Sequence, residues 1–551
     1  MKLYKWLGTA LGSLTLSLLS NTLTATSGLA AEQLVFSYPP FGDFEISTTD
    51  LEVFAKEGKI TDNFAYYAKR VNSKQREQLR ELLQNRFAVT PTLVSQFFYT
   101  PLGESVLKRL GEIFETDSRM NGFYALRSAF ILAAADPEGL TAINVLRRYP
   151  TRSIRLNLGL TQGLVGELSG LLKKRDAIVA TIGQQSLAEA SQSTVNFSQQ
   201  PDLRLPGSFR VQKQSLTLVD SQRNRNLPYV LYLPQVQNPA KKSIPVIVIS
   251  HGVAEDSNSY AYLARHLATY GFAVAAIEHP GTNAKKFQDF FAGLGAPPNP
   301  NEFVNRPLDI KYLLDELERR AQSEPNLAQL NLQKVGLIGH SLGGSTVLTL
   351  AGAKINLVKL RRDCRQNRTL NVSVLLQCRA ADLPNQTYNF LDTRVKAVIA
   401  INPLTSEIFG ESELSQIQLP LMFIGSSQDI VTPTVPEQIR PFTWLKTKDK
   451  YLALIENGTH FSTVADVEGG GGVLPVPAGF IGPNPALART CVDALSVAFA
   501  EAYLANKSEY RSYLNPAYAK FISQAPLNLS LLQSFTPKQL QEAADRKLTK
   551  Q

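Results

Sequence analysis

Cysteine, tryptophan, methionine and histidine are all scarce in this chain, at 3, 2, 3 and 5 among 551 residues. Three cysteines cannot staple a disulfide-dense scaffold, so a hydrophobic core has to hold the fold. No Cys or His pair stands at metal-ligand spacing, which excludes a zinc site, and no cofactor is implied. The formal charge of +10 comes from 57 basic and 47 acidic residues with no long basic block among them. With no zinc-finger or RNA-binding signature either, nucleic acid is excluded as a partner. Weak attraction to an anionic surface such as lipid headgroups stays open. Past the N-terminus no segment is long and apolar enough to cross a bilayer.

What is present at the N-terminus reads as an address. Lys2 and Lys5 precede an apolar run over residues 6–19, and Gly28-Leu-Ala30 offers small residues for cleavage. Residues 1–30 therefore read as a secretory signal peptide, and the mature protein is expected outside the cytoplasm, secreted or periplasmic. An uncleaved N-terminal membrane anchor is the alternative. A disulfide between Cys364 and Cys378 would suit export, but three free thiols fit the sequence as well.

Residues 31–200 carry apolar residues at helical spacing, in segments over 51–58, 66–83, 102–114, 124–135, 140–148 and 158–187. No nucleophile, metal cluster or phosphate loop lies among them. This half is expected to be a smaller all-α domain, ending in a polar linker near Pro201.

From there the period changes. Residues 209–219 and 227–233 flank a polar turn and read as an antiparallel pair. Short Val/Ile/Leu/Ala runs then alternate with helical patterns: 246–249, 272–277, 335–338, 395–401, 421–424 and 451–455. Such runs suit parallel strands covered on both faces. The fifth ends in Gly339-His-Ser-Leu-Gly-Gly344, a Gly-x-Ser-x-Gly turn followed by an Ala/Leu-rich helix. Gly339 and Gly343 allow the chain to reverse sharply around Ser341, whose hydroxyl is thereby exposed above the N-terminus of a helix. Eight strands with this elbow after the fifth resemble the α/β-hydrolase fold over residues 201–551.

That fold orders its triad as nucleophile, acid, histidine. Four of the five histidines, His251, His266, His279 and His340, precede Ser341, which leaves His460 as the general base. The acid is expected at the carboxyl end of a strand between the two, and Asp429 fits. Asn402, after the sixth strand, has no carboxylate; Glu407 is a second choice, and Asp392 lies at the wrong end of its strand. For the oxyanion, the backbone amides of Leu342 and Val253 are the candidates, with Gly252 turning the loop amides inward. The side chains of His251 and His279 are assigned structural roles.

The hydrolase half resembles the platelet-activating-factor acetylhydrolase and dienelactone-hydrolase-like branch, on Ser250-His-Gly252, Glu278-His-Pro-Gly281, the Ser341 elbow and Gly458-Thr-His-Phe461. The whole chain resembles two-domain cyanobacterial hydrolases with a helical N-terminal domain. Two departures limit what the resemblance implies: such acetylhydrolases take their acid where this chain has Asn402, and dienelactone hydrolases use cysteine where it has Ser341. The expected activity is serine hydrolysis of lipid-type or other apolar carboxylic esters through Ser341, His460 and Asp429. Loops over 287–303, 354–392 and 469–485 would shape the mouth, where peripheral contact with a lipid surface stays open. Acyl transfer by the same triad and peptide hydrolysis on the same fold are the alternatives.

Overall fold

A computed structural model of the chain describes residues 30–38, 40–237, 243–365, 369, 371–465 and 478–546. The proposed signal segment lies outside these residues except for Ala30, as does most of the Gly/Pro-rich stretch that follows the His460 turn. The chain divides into two compact units, Met1–Leu164 and Val165–Gln551. No described helix is long and apolar enough to cross a membrane.

The first unit is not all-α. Its helices, among them Thr48–Glu57, Ser73–Gln84, Pro101–Ile113 and Phe123–Ala135, accompany a four-stranded sheet of order β2-β1-β4-β3. Here β1 is Gln33–Ser37, β2 Asp43–Ser47, β3 Phe114–Glu115 and β4 Ser153–Leu156. These strands have at most five residues, too few to show a period of two, and β1 pairs in parallel with β4 across most of the unit's sequence, from Gln33↔Ser153 onward. The expected long helix over 66–83 is two helices, Asp62–Ala68 and Ser73–Gln84. Asn72 starts the second with a reciprocal capping box to Gln75, which satisfies amides that a continuous helix would have bonded internally.

The unit boundary also falls earlier than the expected Gln200/Pro201 junction. The 33-residue helix Leu158–Ala190 runs across it, and Ile178 and Ile182 in its second half are buried in the core of the larger unit. Burial of those side chains ties residues after 164 to the hydrolase half.

The larger unit is built on a nine-stranded sheet of order β13-β12-β11-β10-β9-β7-β8-β6-β5. Its strands are β5 Val211–Asp220, β6 Arg225–Pro234, β7 Ile244–Ser250, β8 Ala273–Ile277, β9 Leu330–His340, β10 Val395–Ile401, β11 Leu421–Ser426, β12 Lys450–Ile455 and β13 Leu529–Leu532. The six from β7 to β12 are parallel to their neighbours among themselves, whereas β5, β6 and β13 join antiparallel. All eight expected strands are present, and β13 is a ninth, at the edge. Alternate side chains of each central strand enter opposite cores: Val246 and Val248 on one face, Ile247 and Ile249 on the other. That two-sided burial explains the unbroken apolar runs. It also means that truncating one such side chain costs on the order of 2–5 kcal/mol. The strand order reverses between β7 and β9, whose carboxyl ends therefore border the crevice where ligands bind in open α/β sheets.

Candidate active site

Ser341 occupies the turn between β9 and the helix Leu342–Leu350, at φ 53 and ψ −120. This is a costly conformation for a residue with a side chain, held because the neighbouring glycines let three backbone segments converge. A Cβ on Gly339 would lie 2.1 Å from the Gly343 carbonyl oxygen, and one on Gly343 would lie 2.0 Å from that of Ser250. The Ser341 amide is fixed by the Ile401 carbonyl at 2.9 Å, which ties the elbow to the end of β10.

His460 follows β12, and its Nδ1 donates to Asp429 Oδ2 at 2.7 Å. The acceptor is itself held rigidly. Asp429 Oδ1 accepts from the Val431 and Thr432 amides at 2.8 and 2.7 Å, and Oδ2 accepts from Thr432 Oγ1 at 2.7 Å. With Nδ1 committed as donor, the lone pair of the ring is on Nε2, the atom a general base uses. Among the described residues no hydrogen bond joins that nitrogen to Ser341 Oγ, although the His460 ring centroid is 4.7 Å from that of His340, the residue before the serine. Ser341, Asp429 and His460 are all buried.

The other candidate acids are engaged elsewhere. Glu407 pairs with Lys359, and Asp392 pairs with Arg394 at 2.7 Å before the start of β10. Asn402, at the carboxyl end of β10, instead steadies the histidine turn: its Nδ2 donates to the His460 carbonyl oxygen at 3.4 Å.

The loop after β7 departs from expectation in one respect. The Gly252 amide donates to Glu255 Oε2 at 2.7 Å, and the positive φ of the loop, 60, falls on Ala254. Gly252 is needed for space, since a Cβ there would meet Glu255 Oε1 at 2.7 Å. The Val253 amide has no acceptor among the described residues. The Leu342 amide opens a helix, where first-turn N–H groups lack intrahelical partners. Neither amide is engaged by a described residue.

Beneath the loop lies a buried network that sequence reasoning missed. His279 accepts from Ser250 Oγ through Nε2 at 3.0 Å and donates to Asp309 Oδ2 through Nδ1 at 3.0 Å. This is a second Ser-His-Asp arrangement, but all three residues are fully buried and none can reach a substrate. His251 donates to the Gly252 carbonyl and accepts from the His279 amide at 3.0 Å, as a structural residue does. Burial, reinforced by the Arg306 guanidinium, holds both imidazoles well below their ordinary pKa and keeps them neutral. Arg306 is fully buried and donates to the His251 carbonyl and to Thr282 Oγ1. Burial pulls its own pKa down to about 10. The available signal was Arg306 and Asp309, a charged i, i+3 pair facing inward on the helix Glu302–Arg320.

The insertion over 354–392 carries a disulfide between Cys364 and Cys378, and Cys491 is free and buried. No cluster of His, Cys, Asp or Glu among the described residues is placed to hold a metal ion.

Residues 30–157 match the family model described as an alpha/beta hydrolase of unknown function (DUF1400). Residues 241–360, from β7 through the Ser341 elbow, match the serine aminopeptidase family, S33. No curated protein matches the chain. The nine-stranded sheet and these two matches make the chain a hydrolase of the α/β-hydrolase fold.

Proposed function

We propose that the protein is an exported serine hydrolase that cleaves carboxylic esters with apolar, lipid-type acyl groups. The observation that carries this reading is a strained serine at the elbow beside an imidazole whose Nδ1–H is held 2.7 Å from a fully hydrogen-bonded aspartate. His460 Nε2 takes the Ser341 proton as Oγ attacks the ester carbonyl carbon. The oxygen of the tetrahedral adduct takes up negative charge and accepts from the Leu342 and Val253 amides. Collapse expels the alcohol, which receives its proton from His460. A water molecule, deprotonated by His460, then attacks the acyl-serine and releases the carboxylic acid and Ser341.

The match to serine aminopeptidases favours peptide hydrolysis as a second reading. An aminopeptidase needs a carboxylate for the substrate ammonium. Here Glu255 is bonded to His340 and Gly252, and Asp429 to His460, so neither is free for that task. The apolar side chains beside the histidine and aspartate turns, Phe480 and Ile430, are exposed, which suits an apolar ester. The likeness to acetylhydrolases and dienelactone hydrolases points the same way. Export is supported by the N-terminal signal pattern and by the Cys364–Cys378 disulfide; N-terminal sequencing of the mature protein tests it.

The test of function is fluorophosphonate labelling at Ser341, followed by kinetics on p-nitrophenyl esters of increasing chain length, a panel of aminoacyl amides, and ester assays with added alcohol. Faster turnover of amides than of esters would replace the ester reading by the peptidase one. Alcohol acylation exceeding hydrolysis would make the protein an acyltransferase.

A further inference from the structure

The part of the helix Leu158–Ala190 that lies in the larger unit, from Val165 onward, has two different stretches. From Ala177 onward one face is buried, through Ala177, Ile178, Ile182, Gly183, Ser186 and Ala190, and Leu187 on the other is 55% exposed; from Val165 to Asp176 no residue is buried, and Val165, Leu168, Leu171 and Leu172 are 61, 54, 57 and 42% exposed. Steps of three and four residues put all four on one face. Gly166 and Gly170 lie on the other side, and a Cβ on either would meet nothing within 4 Å. Glycine disfavours a helix and solvent-exposed leucine gains nothing from it, so this stretch is built to be completed by something outside itself.

Its position relative to the sheet follows from the buried half. Gly183 sits over Glu456, just past the carboxyl end of β12, where a Cβ would lie 3.0 Å from Oε1. Three residues later, Ser186 Oγ accepts from the Leu531 amide at 3.1 Å, and Leu531 is paired with Ala453, further back along β12. The helix therefore runs opposite to β12. Followed backward from Gly183, it projects past the carboxyl edge of the sheet, the edge that carries Ser341, Asp429 and His460. At 1.5 Å per residue the exposed face extends roughly 16 to 27 Å beyond that point.

Two features identify what it meets. Lys173 and Lys174 close the apolar stretch, are exposed and have no carboxylate partner among the described residues, while Glu167 is its only acid before Asp176. On the same edge of the sheet, Ile430, next to Asp429, is 59% exposed. So is part of Phe480, whose carbonyl oxygen accepts from Thr459 Oγ1, next to His460, at 2.6 Å. An apolar helix face ending in unpaired lysines, continued by an apolar rim at the site, has the chemistry of an interfacial helix on an anionic bilayer.

We propose that residues 165–174 form a lipid-docking helix, which lays Val165, Leu168, Leu171 and Leu172 into an anionic membrane surface while Lys173 and Lys174 meet its headgroups. The proposal rests on the lipid-ester reading for its purpose but not for its test. Full-length protein carrying Ser341→Ala, so that no lipid is consumed, is sedimented with vesicles of phosphatidylcholine alone or with phosphatidylglycerol. Binding should rise at least tenfold with phosphatidylglycerol and fall with added salt. The pair Leu168→Glu and Leu171→Glu should abolish it, and Lys173→Gln with Lys174→Gln should remove the preference for the anionic lipid. In the Ser341 background the leucine variants should turn over a short soluble ester at the parental rate, which shows that they fold.

Failure to bind either vesicle, or binding unchanged in the leucine variants, overturns the proposal. A dimer that the leucine substitutions dissociate, in protein that ignores vesicles, would make a second copy the occupant and also overturn it. Soluble-ester hydrolysis without vesicle binding removes the docking helix and leaves the ester reading. Vesicle binding without hydrolysis of any ester does the reverse.

Discussion

Glu255 Oε1 lies 2.7 Å from His340 Nδ1, a contact that joins the loop carrying Val253 to the residue preceding Ser341. The other ring nitrogen of His340 lies 3.1 Å from the His460 carbonyl oxygen, and the other Glu255 oxygen accepts from the Gly252 amide. One carboxylate and one imidazole thus connect the oxyanion loop, the elbow and the histidine turn. Burial pushes the Glu255 carboxyl up, but His340 and the Gly252 amide outweigh it and hold the group below its ordinary value.

Glu255→Gln keeps the shape and removes the charge, so it should loosen the loop that aims the Val253 amide. In the proposed mechanism that amide acts in the transition state, so kcat should fall on the order of 10²-fold while KM changes little. A rise in KM at constant kcat would show that Glu255 serves substrate binding instead.

Ser341→Ala should abolish ester turnover and fluorophosphonate labelling. Ser341→Gly should do the same and also stabilise the fold, because glycine adopts φ 53 without strain. The expected gain in urea denaturation is about 1 kcal/mol or more. Retained labelling in either folded variant would remove Ser341 as nucleophile.

His460→Ala and Asp429→Asn should each lower kcat on the order of 10³-fold or more, and the double variant should lose little beyond the worse single one, since a triad acts as a unit. Glu407→Gln should leave kcat within a factor of about two, given that Glu407 is spent on Lys359. The opposite pattern in steady-state kinetics would make Glu407 the acid.

The elbow was legible because strand, turn and helix are contiguous from Val335 to Leu350, so local sequence carries the whole geometry. His460 was legible through scarcity, with four of five histidines on the wrong side of Ser341. What escaped depends on pairings between distant residues. The β1–β4 ladder joins Gln33 to Ser153, and β13 has only four residues to announce it. The network under the oxyanion loop escaped for the same reason. Charged side chains such as Arg306 and Asp309 are buried only because Thr282, His251 and His279, distant in sequence, supply hydrogen-bonding groups for them.

Asp493 supplies a prediction about stability that is independent of catalysis. It lies on the helix Pro485–Tyr503 between the fully buried Val492 and Ala494, and its Oδ1 is buried without a hydrogen bond. Burial raises its pKa from 3.8 to about 8, although Arg489, one turn earlier, pulls the other way. Between roughly pH 4 and pH 8 the folded protein keeps a proton that the unfolded chain releases. The contribution of this group to stability is therefore full below about pH 4 and is lost as pH rises through about 8. An asparagine side chain in its place would not titrate. Asp493→Asn should thus match the parent near pH 5 and exceed it at pH 9 by several kcal/mol, because the parent loses about 1.4 kcal/mol for each pH unit over which only the unfolded chain has released the proton. Urea denaturation of both proteins from pH 5 to pH 9 measures the difference. Parallel pH profiles would mean that Asp493 is ionised throughout, with the Arg489 guanidinium outweighing burial.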